Sequence, residues 1–160
     1  MTKEAKKEMI AKAALSCFLS AGYSNTTMDD ITKTAGISKG GVYWYFKSKE
    51  EIFYYIMDLW INEFNAELLR RFRPTDSGRE KLEKVMELYL ENMETPLTPI
   101  IFDFVFQNHK NKGVIDYLVK ELFEKRQTVI RKVIAEAIQK GEFRQNDTTA
   151  ITHFFINMVE

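Results

Sequence analysis

Residues 26–51 read Thr26-Thr27-Met28-Asp29-Asp30-Ile31-Thr32-Lys33-Thr34-Ala35-Gly36-Ile37-Ser38-Lys39-Gly40-Gly41-Val42-Tyr43-Trp44-Tyr45-Phe46-Lys47-Ser48-Lys49-Glu50-Glu51. Either threonine at the start can cap a helix, with Asp29 or Asp30 three residues on. Met28, Ile31 and Ala35 give that helix a single inward stripe, and Gly36 breaks it. After Ile37, Ser38 caps a second short helix that ends near Phe46. Ser48 and Glu51 then form a capping box for a third. A short helix, a glycine-containing turn and another short helix make a helix-turn-helix unit, whose second helix enters the DNA major groove.

On that second helix, Val42 and Phe46 lie one turn apart and pack inward with Ile31 and Ala35. Gly40, Gly41, Trp44 and Tyr45 fall on the other side. Lys39, in the first turn, can swing toward a phosphate or a guanine edge. Two adjacent glycines cost a helix about 1 kcal/mol each relative to alanine. Close approach of the backbone to another surface compensates for that cost. Exposed Trp44 and Tyr45 suit apolar contact with thymine methyls and hydrogen bonds to phosphate.

Outward from this segment the pattern stays helical. Thr2–Tyr23 places Ile10, Ala14 and Phe18 on one face, beside Ala13, Cys17 and Ala21, and Gly22 is the stop signal. A long helix behind Ser48 carries Ile52, Ile56, Leu59, Trp60, Phe64, Leu68 and Leu69. Pro74, Asp76, Ser77 and Gly78 form a linker. The next helix, Arg79–Met93, turns Leu82, Val85, Met86, Tyr89 and Leu90 inward. Residues 95–99 read as a turn. Ile100–Gln107, apolar apart from Asp103 and Gln107, reads as a buried helix rather than a strand because helices surround it. Helical period returns from Val114 to Ala137 through Leu118, Leu122, Val129 and Val133, with Gly141 as the stop. Asp147 caps a last helix with Ile151, Phe154, Phe155 and Met158, and its pattern runs to Glu160 with no stop signal. The expected fold is all-α, with a helix-turn-helix domain over 1–48 and a helical bundle over 49–160, for which the resemblance given below implies ligand binding and dimerisation.

The sequence of 160 residues has no formal net charge, but the charge is uneven: residues 1–49 hold four more basic than acidic side chains and the remainder four fewer. A basic head on an acidic body fits a DNA-contacting segment joined to a domain that does not touch DNA. An architectural DNA binder without a ligand is the competing reading, although such proteins are usually strongly basic overall. A helical enzyme would need a nucleophile and base, a metal cluster or a phosphate loop, and none is visible. His109 and His153 lack the companions of a metal site, and no cofactor is expected. Cys17 is the only cysteine. It cannot form an internal disulfide and reads as an inert core thiol. No apolar run spans a membrane. A cytoplasmic location is therefore expected.

The stretch quoted above resembles the DNA-binding domain of the TetR family of transcriptional repressors, over about the first 50 residues. The resemblance implies phosphate contacts from Thr26, Thr27, Ser38, Tyr43, Tyr45 and Lys49. It implies that Lys39, Gly40, Gly41 and Trp44 line the bases. For Tyr43, whose helical angle lies at the core edge, packing and phosphate contact both stay open. The family acts as homodimers on inverted-repeat double-stranded DNA operators, and a small-molecule ligand in the C-terminal body releases the DNA. Its members usually carry two further C-terminal helices that form the dimer interface, and this sequence is expected to stop within the first of them.

The body is rich in large apolar side chains. Trp60, Phe64, Met86, Tyr89, Met93, Phe102, Phe106 and Tyr117, with His109, are the candidates for enclosing a lipophilic effector, Met adapting its shape to the ligand. Taken singly, such residues at helical spacing are core before they are pocket. Asn92, Asp103, Gln107, Asn108 and His109 are the polar groups able to orient a ligand there, or to bond locally.

Overall fold

The computed structural model describes residues 2–92, 95–117, 124–144 and 152. Every described element is a helix: α1 (Lys3–Ala21), α2 (Met28–Ala35), α3 (Lys39–Tyr45), α4 (Lys49–Arg71), α5 (Gly78–Glu91), α6 (Leu97–Asn108), α7 (Lys112–Tyr117) and α8 (Glu124–Gln139). The chain gathers into two compact units, Met1–Trp60 with Thr95–Ile115, and Ile61–Glu94 with Asp116–Glu160.

In the first unit α1, α2 and α3 each start on a side-chain cap; α1 and α2 stop at a glycine and α3 at the extended Phe46. The Thr2 hydroxyl accepts from Ala5 N–H at 3.2 Å, and α1 ends at Gly22, whose φ of +84° is open to glycine at little cost. Of the two threonines the sequence allowed as cap for α2, Thr27 takes the role. Its hydroxyl accepts from Asp30 N–H while the Asp30 carboxylate accepts from Thr27 N–H at 2.9 Å, a complete capping box. Gly36, left-handed at φ +65°, ends α2, and Ser38 caps α3 by accepting from Gly41 N–H at 3.1 Å. Ser48 caps Glu51 N–H as expected, but the Glu51 carboxylate reaches back to Lys47 N–H at 2.6 Å rather than to Ser48 itself.

The core of this unit is built on Ile10, Ala14 and Phe18 of α1, Ile31 of α2, Val42 of α3, Phe46, Ile52, Phe53 and Ile56 of α4, and Phe104 of α6, all buried. Ala11 is buried too, whereas Ala21 is exposed and Ala13 and Ala35 are half-buried. Tyr23 sits at the centre. Its ring meets Phe18, Phe53 and Phe104 at centroid distances of 5.2, 5.5 and 4.9 Å, while Phe53 and Phe104 stack at 3.8 Å. Edge-to-face and stacked pairs add about 0.5–1.5 kcal/mol each beyond area burial.

Two charged side chains fasten the α1–α2 turn to this core. The Lys49 ammonium donates to the carbonyls of Tyr23 (2.7 Å) and Thr26 (2.8 Å) and lies 4.2 Å from the Tyr23 ring centroid. Burial lowers the pKa of this amine. The Asp103 carboxylate of α6 accepts from Ser24 N–H at 2.8 Å and also from the Ser24 hydroxyl. These bonds hold its pKa below the usual carboxylate range. Burial, followed by the nearby Glu50 carboxylate, pushes the Tyr23 phenol upward.

The second unit packs α5 on α8. Ser77 and Glu80 form its capping box, and the cluster of Phe64, Leu68, Val85, Leu88, Tyr89, Ile130 and Ile134 fills its interior. Phe64 and Tyr89 meet edge-to-face at 5.0 Å. Arg71 grips Glu91 through two bonds of 3.0 and 2.7 Å and adds Glu67 at 2.9 Å. Gly78, in the first turn of α5, lies so close to α8 that a Cβ there would collide with Cβ of Ala137. α8 ends where Gly141, at φ +76°, lets Glu142 N–H reach the Ala137 carbonyl at 2.9 Å.

Several expectations are corrected. Leu90 points outward, and Leu88 takes the inward position. Leu59 and Leu69 are exposed members of α4. The turn over 95–99 is shorter than expected: α6 begins at Leu97, and Pro99 sits in its first turn, where a missing N–H costs no helical bond. α6 buries only one stripe, Leu97, Ile100 and Phe104. The stretch from Val114 appears as two described helices, α7 and α8, with Leu118 and Leu122 outside the described residues. Asp147, Ile151, Phe154, Phe155 and Met158 lie outside them as well.

Two substitutions check this packing. Gly78→Ala forces α5 off α8 and should lower stability by about 1–3 kcal/mol in urea unfolding, an overpacking cost. Asp103→Ala removes a charged acceptor from two donors and should cost about 1 kcal/mol at pH 7, a value reduced for its contact with solvent. Because the folded pKa of Asp103 is depressed, its contribution is present above the unfolded value and fades as pH falls through the folded one. The gap between wild type and Asp103→Ala should therefore close below about pH 4.

Candidate nucleic-acid interface

The capped turns of the first unit set α2 and α3 so that one side of α3 is buried and the other is open. Val42 and Phe46 face the core with Ile31, as the sequence pattern required. On the open side, Trp44 is 75% exposed, an unusual setting for an indole. Lys39 and Gly40 are exposed beside it. A Cβ on Gly40 would meet nothing within 4 Å, so no contact inside the protein calls for glycine here. Gly41 differs: a Cβ there would come within 3.2 Å of the Ser38 hydroxyl that caps the helix. Tyr43 and Tyr45 are half-buried at the edges of this surface, and the Tyr43 carbonyl accepts from the Lys47 ammonium at 2.9 Å.

Thr27 and Ser38 are exposed and double as helix caps. The N–H groups at the start of α2 and α3 therefore lie beside those hydroxyls, which suits an approaching anion. Thr26 is only 2% exposed, and its hydroxyl donates to the Gly22 carbonyl at 2.7 Å. Lys49 is half-buried and gives two of its three donors to the Tyr23 and Thr26 carbonyls, which makes it a staple of the turn. Lys39 is paired: its ammonium bonds the Asp29 carboxylate at 2.7 Å, which raises its pKa. The sequence offered Asp29 only as a possible N-terminal acid of α2. Its pairing with Lys39 needed the turn geometry that brings the starts of α2 and α3 together.

The candidate effector residues are divided between the two units. Phe64 and Tyr89 are buried in the packed core of the second unit, and Met86 is half-buried on the same helix as Tyr89. Trp60 and Tyr117 are half-buried. Phe102 and Phe106, one turn apart on α6, are 70% and 79% exposed. His109 is exposed, with Nδ1 2.7 Å from the Phe106 carbonyl. Met93 lies outside the described residues. Among the polar candidates, Asn92 and Asn108 each donate to the carbonyl four residues back, and Asp103 serves Ser24. The role of Asp103 was invisible in the sequence because its partner is 79 residues away.

Cys17 is buried, its thiol 3.2 Å from the Thr34 hydroxyl. Among the described residues no group of three or more His, Cys, Asp or Glu could hold a metal ion, and no helix is long and apolar enough to cross a membrane.

Comparison with known proteins bears directly on this geometry. Residues 10–56 match the family described as bacterial regulatory proteins, tetR family, and residues 57–160 match the QacR-like protein, C-terminal region. The chain is 30% identical to the uncharacterized HTH-type transcriptional regulator YfiR of Bacillus subtilis, over 98% of this chain and 77% of that protein. It is 27% identical to the HTH-type transcriptional regulator QacR of Staphylococcus aureus, over 96% of this chain and 81% of that one. In three dimensions it resembles the transcriptional regulator FadR of Bacillus subtilis, solved in complex with stearoyl-CoA, with a TM-score of 0.74 and 20% identity over 95% of this chain and 82% of that one. An all-helical chain with a capped helix-turn-helix, matched along nearly its whole length by these two family descriptions, is a transcriptional regulator of the TetR family.

Proposed function

We propose that this regulator is a repressor that binds an inverted-repeat operator as a homodimer and leaves it when a small lipophilic effector binds the helical body. The observation that carries the DNA half of this reading is the open side of α3: exposed Trp44 and Lys39 flank Gly40, whose missing side chain leaves room that nothing in the protein fills. A backbone that bare can press against base edges. Lys39 and Trp44 then supply hydrogen bonds and apolar contact, with Gly41 lining the same surface. Thr27, Ser38, Tyr43 and Tyr45 border it and are assigned to phosphates, which fix register without reading sequence.

The effector half rests on α6. This helix is tied to the α1–α2 turn by Asp103 and Ser24 and to Tyr23 by Phe104. A ligand that displaces α6 strains the turn that leads into α2. Half-sites on duplex DNA lie about one helical turn, roughly 34 Å, apart, so a dimer tolerates little change in the placement of its recognition helices. Phe102, Phe106 and His109, on α6 or at its end, are the first residues to test for the effector, with Trp60, Phe64, Met86, Tyr89, Met93 and Tyr117 as further candidates. A long-chain acyl thioester is a reasonable first probe, given the ligand found in the FadR neighbour.

Selection of bound sequences from random duplex DNA tests the reading. Wild type should enrich a palindrome, and Lys39→Ala or Trp44→Ala should weaken binding to it by about 1–3 kcal/mol each. No enriched sequence, or one bound equally by both variants, would refute the assignment of α3. An effector that binds the body must lower operator affinity by the factor by which operator lowers effector affinity. Gly40→Ala gives a second check: it should raise stability by up to about 1 kcal/mol through helix propensity while weakening operator binding.

A further inference from the structure

Asp29 places a carboxylate beside the surface that is proposed to meet a polyanion, and helix capping does not explain it. The capping box of α2 is complete with Thr27 and Asp30 alone. Asp29 instead takes the Lys39 ammonium at 2.7 Å, across the turn from the start of α2 to the first residue of α3. Both side chains are open to solvent, 59% and 61% exposed, so the pair adds little to folding. Its consequences fall on whatever the lysine would otherwise meet.

We propose that Asp29 is a positioning residue for sequence selectivity: it holds Lys39 over the recognition surface and withholds its charge from phosphates. The proposal rests on the reading of α3 as the recognition helix. A free lysine on a DNA-binding face gains most of its affinity from any phosphate within reach, by releasing condensed counterions, and that gain is blind to sequence. A lysine held by a carboxylate must give up that bond to reach a phosphate, and the carboxylate itself is repelled by the backbone. An ammonium has three donors. One stays with Asp29 and the others remain available for acceptors on a base edge, such as guanine O6 and N7. The pair therefore penalises random duplex more than operator, raising the ratio between them while lowering affinity for both.

The test uses the full chain, the palindrome recovered by selection and a scrambled duplex of equal length, with binding followed by fluorescence anisotropy between 50 and 200 mM salt. Asp29→Asn should bind the scrambled duplex about 2- to 5-fold more tightly, the range an exposed ion pair supplies. Its log K against log salt should steepen by about 0.9, the mark of one additional phosphate contact. The operator-to-scrambled ratio should fall by a similar factor. Asp29→Glu keeps the carboxylate and should restore the ratio to within about 2-fold of wild type. In a Lys39→Ala background, Asp29→Asn should gain less and leave the salt slope unchanged, because only the repulsion of the carboxylate is then removed. An unchanged ratio and slope in Asp29→Asn would overturn the proposal. So would an equal gain in the Lys39→Ala background, since it would reveal only the loss of one negative charge. If wild type binds no duplex at all, the recognition-helix reading falls and takes this one with it. Wild-type binding with an unaltered Asp29→Asn ratio removes this one alone.

Discussion

Gly22 turns the chain out of α1 at φ +84° and presents the carbonyls of Tyr23 and Thr26 to one ammonium, that of Lys49. The Tyr23 carbonyl has only a long turn bond from Thr26 N–H at 3.3 Å, the Thr26 carbonyl lies ahead of α2, and an under-satisfied buried carbonyl is costly. Lys49 satisfies both and rests its charge on the Tyr23 ring. With the turn closed, Tyr23 packs edge-on against the stacked pair Phe53 and Phe104, Thr27 arrives in position to cap α2, and α3 follows through Gly36 and Ser38. The orientation of the reading surface descends from this staple through a short series of local, well-satisfied bonds. None of them leaves much freedom.

The open side of α3, proposed to meet DNA, has the opposite character. Trp44 is largely exposed, Gly40 has empty space around its Cα, and Lys39 is held only by a solvent-exposed carboxylate. Each of these features costs stability or gives little: glycine in a helix, an indole in water, an ion pair in high dielectric. Such local violations of folding logic concentrate at functional sites. Their grouping on one side of a seven-residue helix, opposite the buried Val42, is what marks this surface.

The tie between α6 and the α1–α2 turn has a different role. Asp103 holds two donors of Ser24, and Phe104 stacks on Phe53, so the two sides of α6 are unequal: one stripe is fastened, while Phe102 and Phe106 face outward. The fastened stripe combines the Asp103 carboxylate with buried Leu97, Ile100 and Phe104, and the proposed effector would shift α6 only by its differential affinity for the shifted state. In the second unit the constraint is steric. Gly78 against Ala137 sets how closely α5 approaches α8, and the cluster around Phe64 and Tyr89 fills the remaining volume.

By itself, the sequence determined the all-helical class, a threonine cap for α2 at either Thr26 or Thr27, the cap at Ser38, the stops at Gly22, Gly36 and Gly141, and the inward set Ile31, Val42 and Phe46. These depend on residues within one or two turns of each other, where propensity and hydrogen-bond geometry act locally. It also led to the family, because the motif from Thr26 to Glu51 is dense. Tertiary structure decided which residues of that motif remain free. Thr26 is buried against the Gly22 carbonyl, and Lys49 serves the Tyr23 and Thr26 carbonyls, which the fold brings to it from more than twenty residues away. It likewise gave Asp103 to Ser24 and Asp29 to Lys39, and put Leu88 rather than Leu90 in the core. Periodicity names an apolar helix face only to within one position, about 100°. The neighbours that settle it, and the partners of a charged side chain tens of residues away, exist only once the helices have packed.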